Sequence, residues 1–214
     1  MLMDNISVII RNRNEERYIG YAIQSVLDTF DKPEIIVVDN NSTDNSMGIV
    51  NTFDFENIKT YSIDSYTPGK SLNYGVTKCS NDYVLVLSAH SQIMNCQFGK
   101  IKGLLDEYCV VGGKQIPIWN GKKISRRYVW SHFVEHDVIN QFSSSEDRYF
   151  LHNAFSFYTK QTLIKYPFDE NLSGKEDRYW VNDRIEEGMD SYYDSVTTCH
   201  HHYTDNGATW KGIG

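Results

Sequence analysis

Short apolar runs alternate along the first half of the chain with longer stretches in which apolar residues recur at helical spacing. "ISVII" (residues 6–10), "EIIVVD" (34–39), "IKTYSI" (58–63) and "YVLVL" (83–87) are rich in β-branched and aliphatic residues and predict strands. Between them, "EERYIGYAIQSVLDTF", "TDNSMGIVNTF" and "GKSLNYGVTKCS" predict helices. Strand and helix alternating over short connections predict an α/β fold, with a mostly parallel, Rossmann-like sheet covered by helices on both faces. Such sheets take ligands beyond the carboxyl ends of their strands.

The pattern changes past Cys109. "YCVVGGKQIPIW" predicts a strand with a turn, and residues 121–147 are polar and aromatic without a clean period, as in a loop-rich insert. Order returns with a strand in "NAFSFY" (153–158), helices over about 159–166 and 175–188, and a last strand, "SYYDSV". No repeat or low-complexity linker divides the chain, so its 214 residues are expected to form a single domain.

Charge narrows the choice of partner. The formal net charge is −7, with the lysines and arginines dispersed, which disfavours a general nucleic-acid or anionic-membrane surface. No segment has the length and apolarity of a membrane span, and the first apolar run is too short for a signal peptide. Four widely spaced cysteines, Cys79, Cys96, Cys109 and Cys199, lie in or beside apolar runs, as reduced thiols of a cytoplasmic protein would.

Candidate chemistry gathers where the predicted strands end. "RNRNEE" (11–16) reads as a turn in which Asn14 caps the next helix and the glutamates favour its dipole. After the second strand Ser42 or Thr43 can cap a helix, while Asp39 lies outside it as an exposed carboxylate able to accept hydrogen bonds from a ribose or base. "PGKSLNYG" opens a helix with Lys70 in its first turn, where backbone amides could face an anion, although the P-loop spacing is absent. The fourth strand runs into Ser88, Ala89 and His90.

In order, "SVIIRNRNEERYIGYAIQSVL", "EIIVVDNNSTDNS", "GKSLNYG", "NAFSF", "FDENLSGKEDRYW" and "CHHHYT" resemble the inverting glycosyltransferases of family 2, which have the GT-A fold. The resemblance spans about residues 6–204. It implies transfer of a sugar, with inversion, from a nucleotide-diphosphate sugar to a hydroxyl of a glycan or lipid-linked sugar, as in polysaccharide assembly. The chain would then divide into a nucleotide-binding half, to about residue 115, and an acceptor-side half. The resemblance assigns Arg11, Asn12, Arg13, Glu15, Asp39 and Lys70 to the nucleotide, together with Ser88, Ala89 and His90. Asn153, Phe155, Ser156 and Glu176 would contact donor sugar or acceptor.

Most of that family ends the fourth strand in an Asp-x-Asp-like motif that holds a divalent cation on the diphosphate. Here Ser88-Ala89-His90 stands instead, as in a bacterial subset that also has "IR" for the usual Ile-Pro after the first strand. Imidazole suits Mn²⁺ better than Mg²⁺, and in the family a C-terminal histidine commonly completes the site. His202, or His200, could therefore join His90 around a cation; alternatively, protonated His90 could pair with phosphate directly.

Ser173 and Glu176 fit a capping box at the start of the helix in "SGKEDRYW". That gives Glu176 a structural task and leaves Asp177 free to face the cleft, and the family's "ED" places the general base on this aspartate. Trp119, Tyr128, Trp130, Trp180 and Trp210 include candidates for stacking on a sugar, but none is singled out. "NGATWKGIG" reads as the start of a C-terminal extension, without a membrane anchor. Two competing readings are a nucleotidyltransferase, which lacks its glycine- and lysine-rich phosphate loop here, and a non-catalytic nucleotide-sugar or glycan binder that has lost its metal carboxylates.

Overall fold

The computed structural model describes residues 4–124 and 128–207. The apolar runs form the predicted strands β1 (Ile6–Asn12), β2 (Glu34–Asp39), β3 (Ile58–Ser62) and β4 (Tyr83–Ser88), separated by helices α1 (Ile19–Thr29), α2 (Ser46–Val50) and α3 (Pro68–Lys78). There follow β5 (Ser91–Asn95), α4 (Phe98–Leu105), β6 (Val110–Trp119) and β7 (Lys122–Lys123). A 3₁₀ turn at Tyr128–His132 leads into the short strands β8 (Val138–Ile139), β9 (Phe142–Ser143) and β10 (Arg148–Tyr149). β11 (Phe155–Thr159), α5 (Lys160–Lys165), α6 (Glu176–Glu186) and β12 (Ser191–His202) complete the described chain.

One sheet runs through both halves in the order β3-β2-β1-β4-β11-β6-β12-β5. β3, β2, β1 and β4 are parallel; β11 runs against both its neighbours, β12 is parallel to β6, and β5 closes the edge antiparallel to β12. Because side chains alternate along a strand, Val8, Ile10, Ile35, Val37, Leu85 and Leu87 pack on the face covered by α1 and α4. Ile9, Ile36, Val38, Val84 and Val86 meet α3, α5 and α6 on the other. Apolar residues on both faces are what a sheet sandwiched between helices requires.

Two local expectations fail. The glycine pair in "VVGGKQ" makes no turn, since Val110–Trp119 is one continuous ten-residue strand. A Cβ on Gly113 would lie 2.4 Å from Phe155 Cδ1 and 3.1 Å from the Thr197 carbonyl oxygen, so glycine is there for the close approach of β11 and β12. Gly113→Ala is expected to cost about 1–3 kcal/mol through overpacking, measured by urea denaturation; unchanged stability would contradict this packing. The predicted caps are also absent. α1 begins at Tyr18 without a side-chain cap, α2 is preceded by Asn45 rather than capped by Ser42 or Thr43, and Asn14 Oδ1 accepts from Thr43 N–H at 2.7 Å instead. β12 continues through the histidine run, past the predicted end of the last strand.

Candidate active site

A cleft of about 480 Å³ opens where β1 and β4 end, between those strand tips and the N-terminus of α6. Its volume suits a small-molecule ligand. The turn after β1 contributes Arg11, Asn12, Arg13, Asn14 and Glu15; β4 and the residues after it contribute Ser88 and His90. His152 and Asn153 enter ahead of β11, Lys175 from just before α6, and Glu176, Asp177 and Arg178 from its first turn.

Several expected site residues stand outside this cleft. Asp39 is only 6% exposed, not the open carboxylate expected. Its Oδ1 accepts from Asn12 Nδ2 at 2.8 Å and Ser42 Oγ at 2.6 Å, and its Oδ2 from Ser42 N–H at 3.0 Å. It thus braces Asn12 from behind the wall. The Lys70 ammonium is bound to Ser65 Oγ, and neither residue lines the cleft. Ala89 belongs to the apolar core. Ser156 is fully buried, its hydroxyl donating to the His152 carbonyl at 3.1 Å, and Phe155 is packed in the sheet.

The capping box at α6 does not form. The residue before the helix is Lys175, in the left-handed region at φ 61°, and it makes no side-chain cap bond. The Glu176 carboxylate reaches across the cleft to Arg11 Nη1 at 3.0 Å. Burial pushes the Glu176 carboxyl up from its ordinary value, and the neighbouring Asp177 adds to this, against the pull of Arg11. Asp177 is not free of partners, as expected, but anchored: Oδ2 accepts from Asn153 N–H and Oδ1 from Arg178 N–H, both at 2.8 Å.

His90 meets a different histidine from the one expected. His90 Nε2 lies 3.0 Å from His201 Nε2, while His202 stacks on Tyr18 at 4.8 Å between ring centroids and points Nε2 at Gln92 Oε1, 3.4 Å away. Alternation along β12 puts His201 on one face and His200 and His202 on the other. Gln115 Nε2 donates to the His152 carbonyl at 2.9 Å, so its Oε1 is the atom 2.9 Å from His201 Nδ1. His201 therefore carries its proton on Nδ1 and accepts at Nε2 from His90. Burial lowers the His201 pKa well below the ordinary value, keeping that ring neutral. On its other side, His90 Nδ1 lies 3.2 Å from Glu15 Oε1 without making a hydrogen bond.

These residues do not suit a divalent cation at the end of β4. Ser88-Ala89-His90 supplies no carboxylate, and His90 Nε2 is turned to His201. Among the described residues no group of three His, Cys, Asp or Glu side chains is arranged to hold a metal ion. His202 is on the wrong face to complete one.

His152, Lys175 and Arg178 line the cleft without having been anticipated. Burial lowers His152 to about 3. Arg178 is almost wholly buried; its Nε lies 3.0 Å from Glu146 Oε1, and its guanidinium 5.2 Å from the centre of the Phe150 ring. Lys175 adds a second contact to Glu146 at 3.4 Å, so the aromatic insert is latched to the front of α6. The signal in the sequence was an arginine directly after "ED" and a glutamate at the end of the insert, which only the fold brings together. Trp210 and the rest of the "NGATWKGIG" segment from residue 208 lie outside the described residues.

Fold and cleft together define an α/β domain of the GT-A type. Its shape is matched by S. aureus TarS 1-349 in complex with UDP-GlcNAc, at a TM-score of 0.72 and 22% identity over 94% of this chain and 59% of that one. The glycosyl transferase family 2 profile matches residues 7–172, and the chain belongs to that family. A glucosyltransferase of Campylobacter jejuni named for GalNAc(5)-diNAcBac-PP-undecaprenol is 25% identical over 84% of this chain and 60% of its own length. A Methanococcus voltae diacetamido-dideoxy-glucuronosyltransferase named for dolichyl N-acetylglucosaminyl phosphate is 30% identical over 42% of this chain and 30% of its own. The chain thus spans 60% or less of the length of these relatives. No helix among the described residues is long and apolar enough to cross a membrane.

Proposed function

We propose that this chain transfers a sugar from a nucleotide-diphosphate sugar to a hydroxyl of a glycan or lipid-linked acceptor, with inversion, and that Asp177 is the general base. The observation that carries this reading is the Asp177 carboxylate at the front of α6, held by two backbone N–H groups and facing a cleft at the tips of β1 and β4. The acceptor oxygen forms a bond to the anomeric carbon as the bond from that carbon to the diphosphate breaks. The bonding pair leaves with the diphosphate, and the acceptor proton passes to Asp177. One base and no enzyme nucleophile suffice for a single displacement.

The nucleotide is assigned to the wall formed by Asn12, Arg13 and Glu15, with Asp39 bracing Asn12 from behind, and the sugars to Asn153 and Glu176. The UDP-GlcNAc bound by TarS and the lipid-linked names of the relatives agree with such donors and acceptors. A cytoplasmic setting fits four unpaired cysteines, of which Cys79, Cys96 and Cys109 are pushed up to about 12 by burial, making them inert thiols.

Thermal-shift measurements against UDP-, GDP-, TDP- and CMP-linked sugars, followed by nucleotide-release assays with oligosaccharide acceptors, test the proposal. Stabilisation by one donor and release of its nucleotide are expected. Stabilisation without release by any acceptor would favour a binding protein instead.

A further inference from the structure

What the cleft offers a diphosphate, in place of a carboxylate-held cation, is positive charge built into the strand tips. Arg11 leaves β1 in register with Ser88 on the neighbouring parallel strand β4, so the two side chains rise from the same face of the sheet at the point where both strands end. The Arg11 side chain is 17% exposed, and it lines the cleft. Nη1 donates to Glu176; Nε and Nη2 make no hydrogen bond among the described residues. A guanidinium carries five N–H donors in a plane that matches phosphate oxygens, and it is charged at every working pH. Glu176 uses one of these donors and sets the orientation of the rest. Arg13, Lys175 and Arg178 also line the cleft, and of these Lys175 and Arg178 are paired with Glu146.

Resting on the transferase reading above, we propose that the Arg11 guanidinium takes the place of a divalent cation, binding the departing nucleoside diphosphate so that transfer proceeds without metal. As the bond between the anomeric carbon and the diphosphate oxygen breaks, the electron pair stays on that oxygen. Arg11 N–H groups donate to the diphosphate as its charge grows, while the acceptor proton goes to Asp177. Charge-assisted donors fixed in advance at the place where charge develops are an effective form of catalytic stabilisation. His90 also lines the cleft, with Nε2 turned to His201.

Calorimetric titration with UDP, GDP and dTDP in EDTA, and again with Mn²⁺, tests the assignment. The wild type is expected to bind one of these equally well with and without the ion. Arg11→Gln should weaken that nucleoside diphosphate by about 10–100-fold, the worth of one or two charge-assisted hydrogen bonds. The corresponding free nucleoside should change by no more than about twofold, and Arg11→Lys should recover part of the loss. Since Arg11→Gln leaves Glu176 buried without its cation, Arg11→Gln/Glu176→Gln serves as the second variant, with thermal melting to verify folding. If the folded double variant binds the diphosphate as tightly as the wild type, the role of Arg11 is overturned. If EDTA abolishes diphosphate binding by the wild type, the metal-free assignment fails while the transferase reading stands. If no diphosphate binds under either condition, the donor reading itself fails and takes this inference with it.

Discussion

Asp177→Asn is expected to lower turnover by roughly 10³–10⁴-fold, at the upper end of what a positioned general base supplies, while donor affinity stays close to that of the wild type. The substitution keeps the volume of the side chain and removes its ability to take a proton. It is not silent structurally. Both carboxylate oxygens accept from backbone N–H groups, of Asn153 and Arg178, and an asparagine can answer only one of them. A stability loss of about 1 kcal/mol is therefore anticipated, too small to unfold an ordinary domain of this size. Single-turnover kinetics with saturating donor separate the two effects. Near-normal turnover in the variant would remove the base from Asp177, and loss of donor binding together with turnover would show the residue to be architectural.

The second large effect is acid lability beginning well above the carboxylate range. Burial holds His152 at about 3 and His202 at about 4, and it lowers His132, His200 and His201 as well. Around His152 the Asp177 carboxylate opposes the shift, while Arg178, Arg11 and His90 reinforce it. An unfolded histidine takes up its proton near pH 6.5 and these folded ones do not, so between the two values the unfolded chain binds more protons. Their contribution to stability is present above about pH 6.5 and drains away as pH falls toward 4 and 3. For the well-buried His152 the slope is about 1.4 kcal/mol per pH unit. Glu176, whose folded carboxyl is raised, acts in the opposite sense, gaining as pH falls through its folded value. Glu34 and Glu146, which are lowered, begin to lose only below their unfolded value near 4.5. Urea midpoints measured at half-unit steps from pH 7.5 to 4.5 should fall steadily below about 6.5; a flat profile down to pH 5 would show that these rings titrate normally.

The parallel half of the sheet was legible because its strands are buried on both faces, so that "EIIVVD" and "YVLVL" are apolar without interruption. β5 escaped notice for the opposite reason: it is a short edge strand, "SQIMN", half polar and defined by its pairing with β12 rather than by its own composition. α4 carries Phe98, Ile101 and Leu105 at helical spacing, a signal legible in the sequence. Local rules misjudged Gly113 and Ser173, since a glycine serving a close inter-strand approach looks like a turn, and a serine three residues before a glutamate looks like a cap. In the site, Asp177 and Arg11 were legible as positions but not as contacts. The pairs Arg11 with Glu176, His90 with His201, and Arg178 with Glu146 join residues distant in sequence, and no local pattern encodes them.

The two amides that hold Asp177 belong to the main chain. Every amino acid except proline supplies the same N–H at positions 153 and 178, so these two hydrogen bonds do not depend on side-chain identity, although the Arg178 guanidinium adds an ionic contact to Asp177 at 3.6 Å. Drift in the side chains around the cleft could remodel which sugars are admitted while leaving these two bonds to the Asp177 carboxylate in place. A scaffold of this kind can diversify its substrates without rebuilding its chemistry.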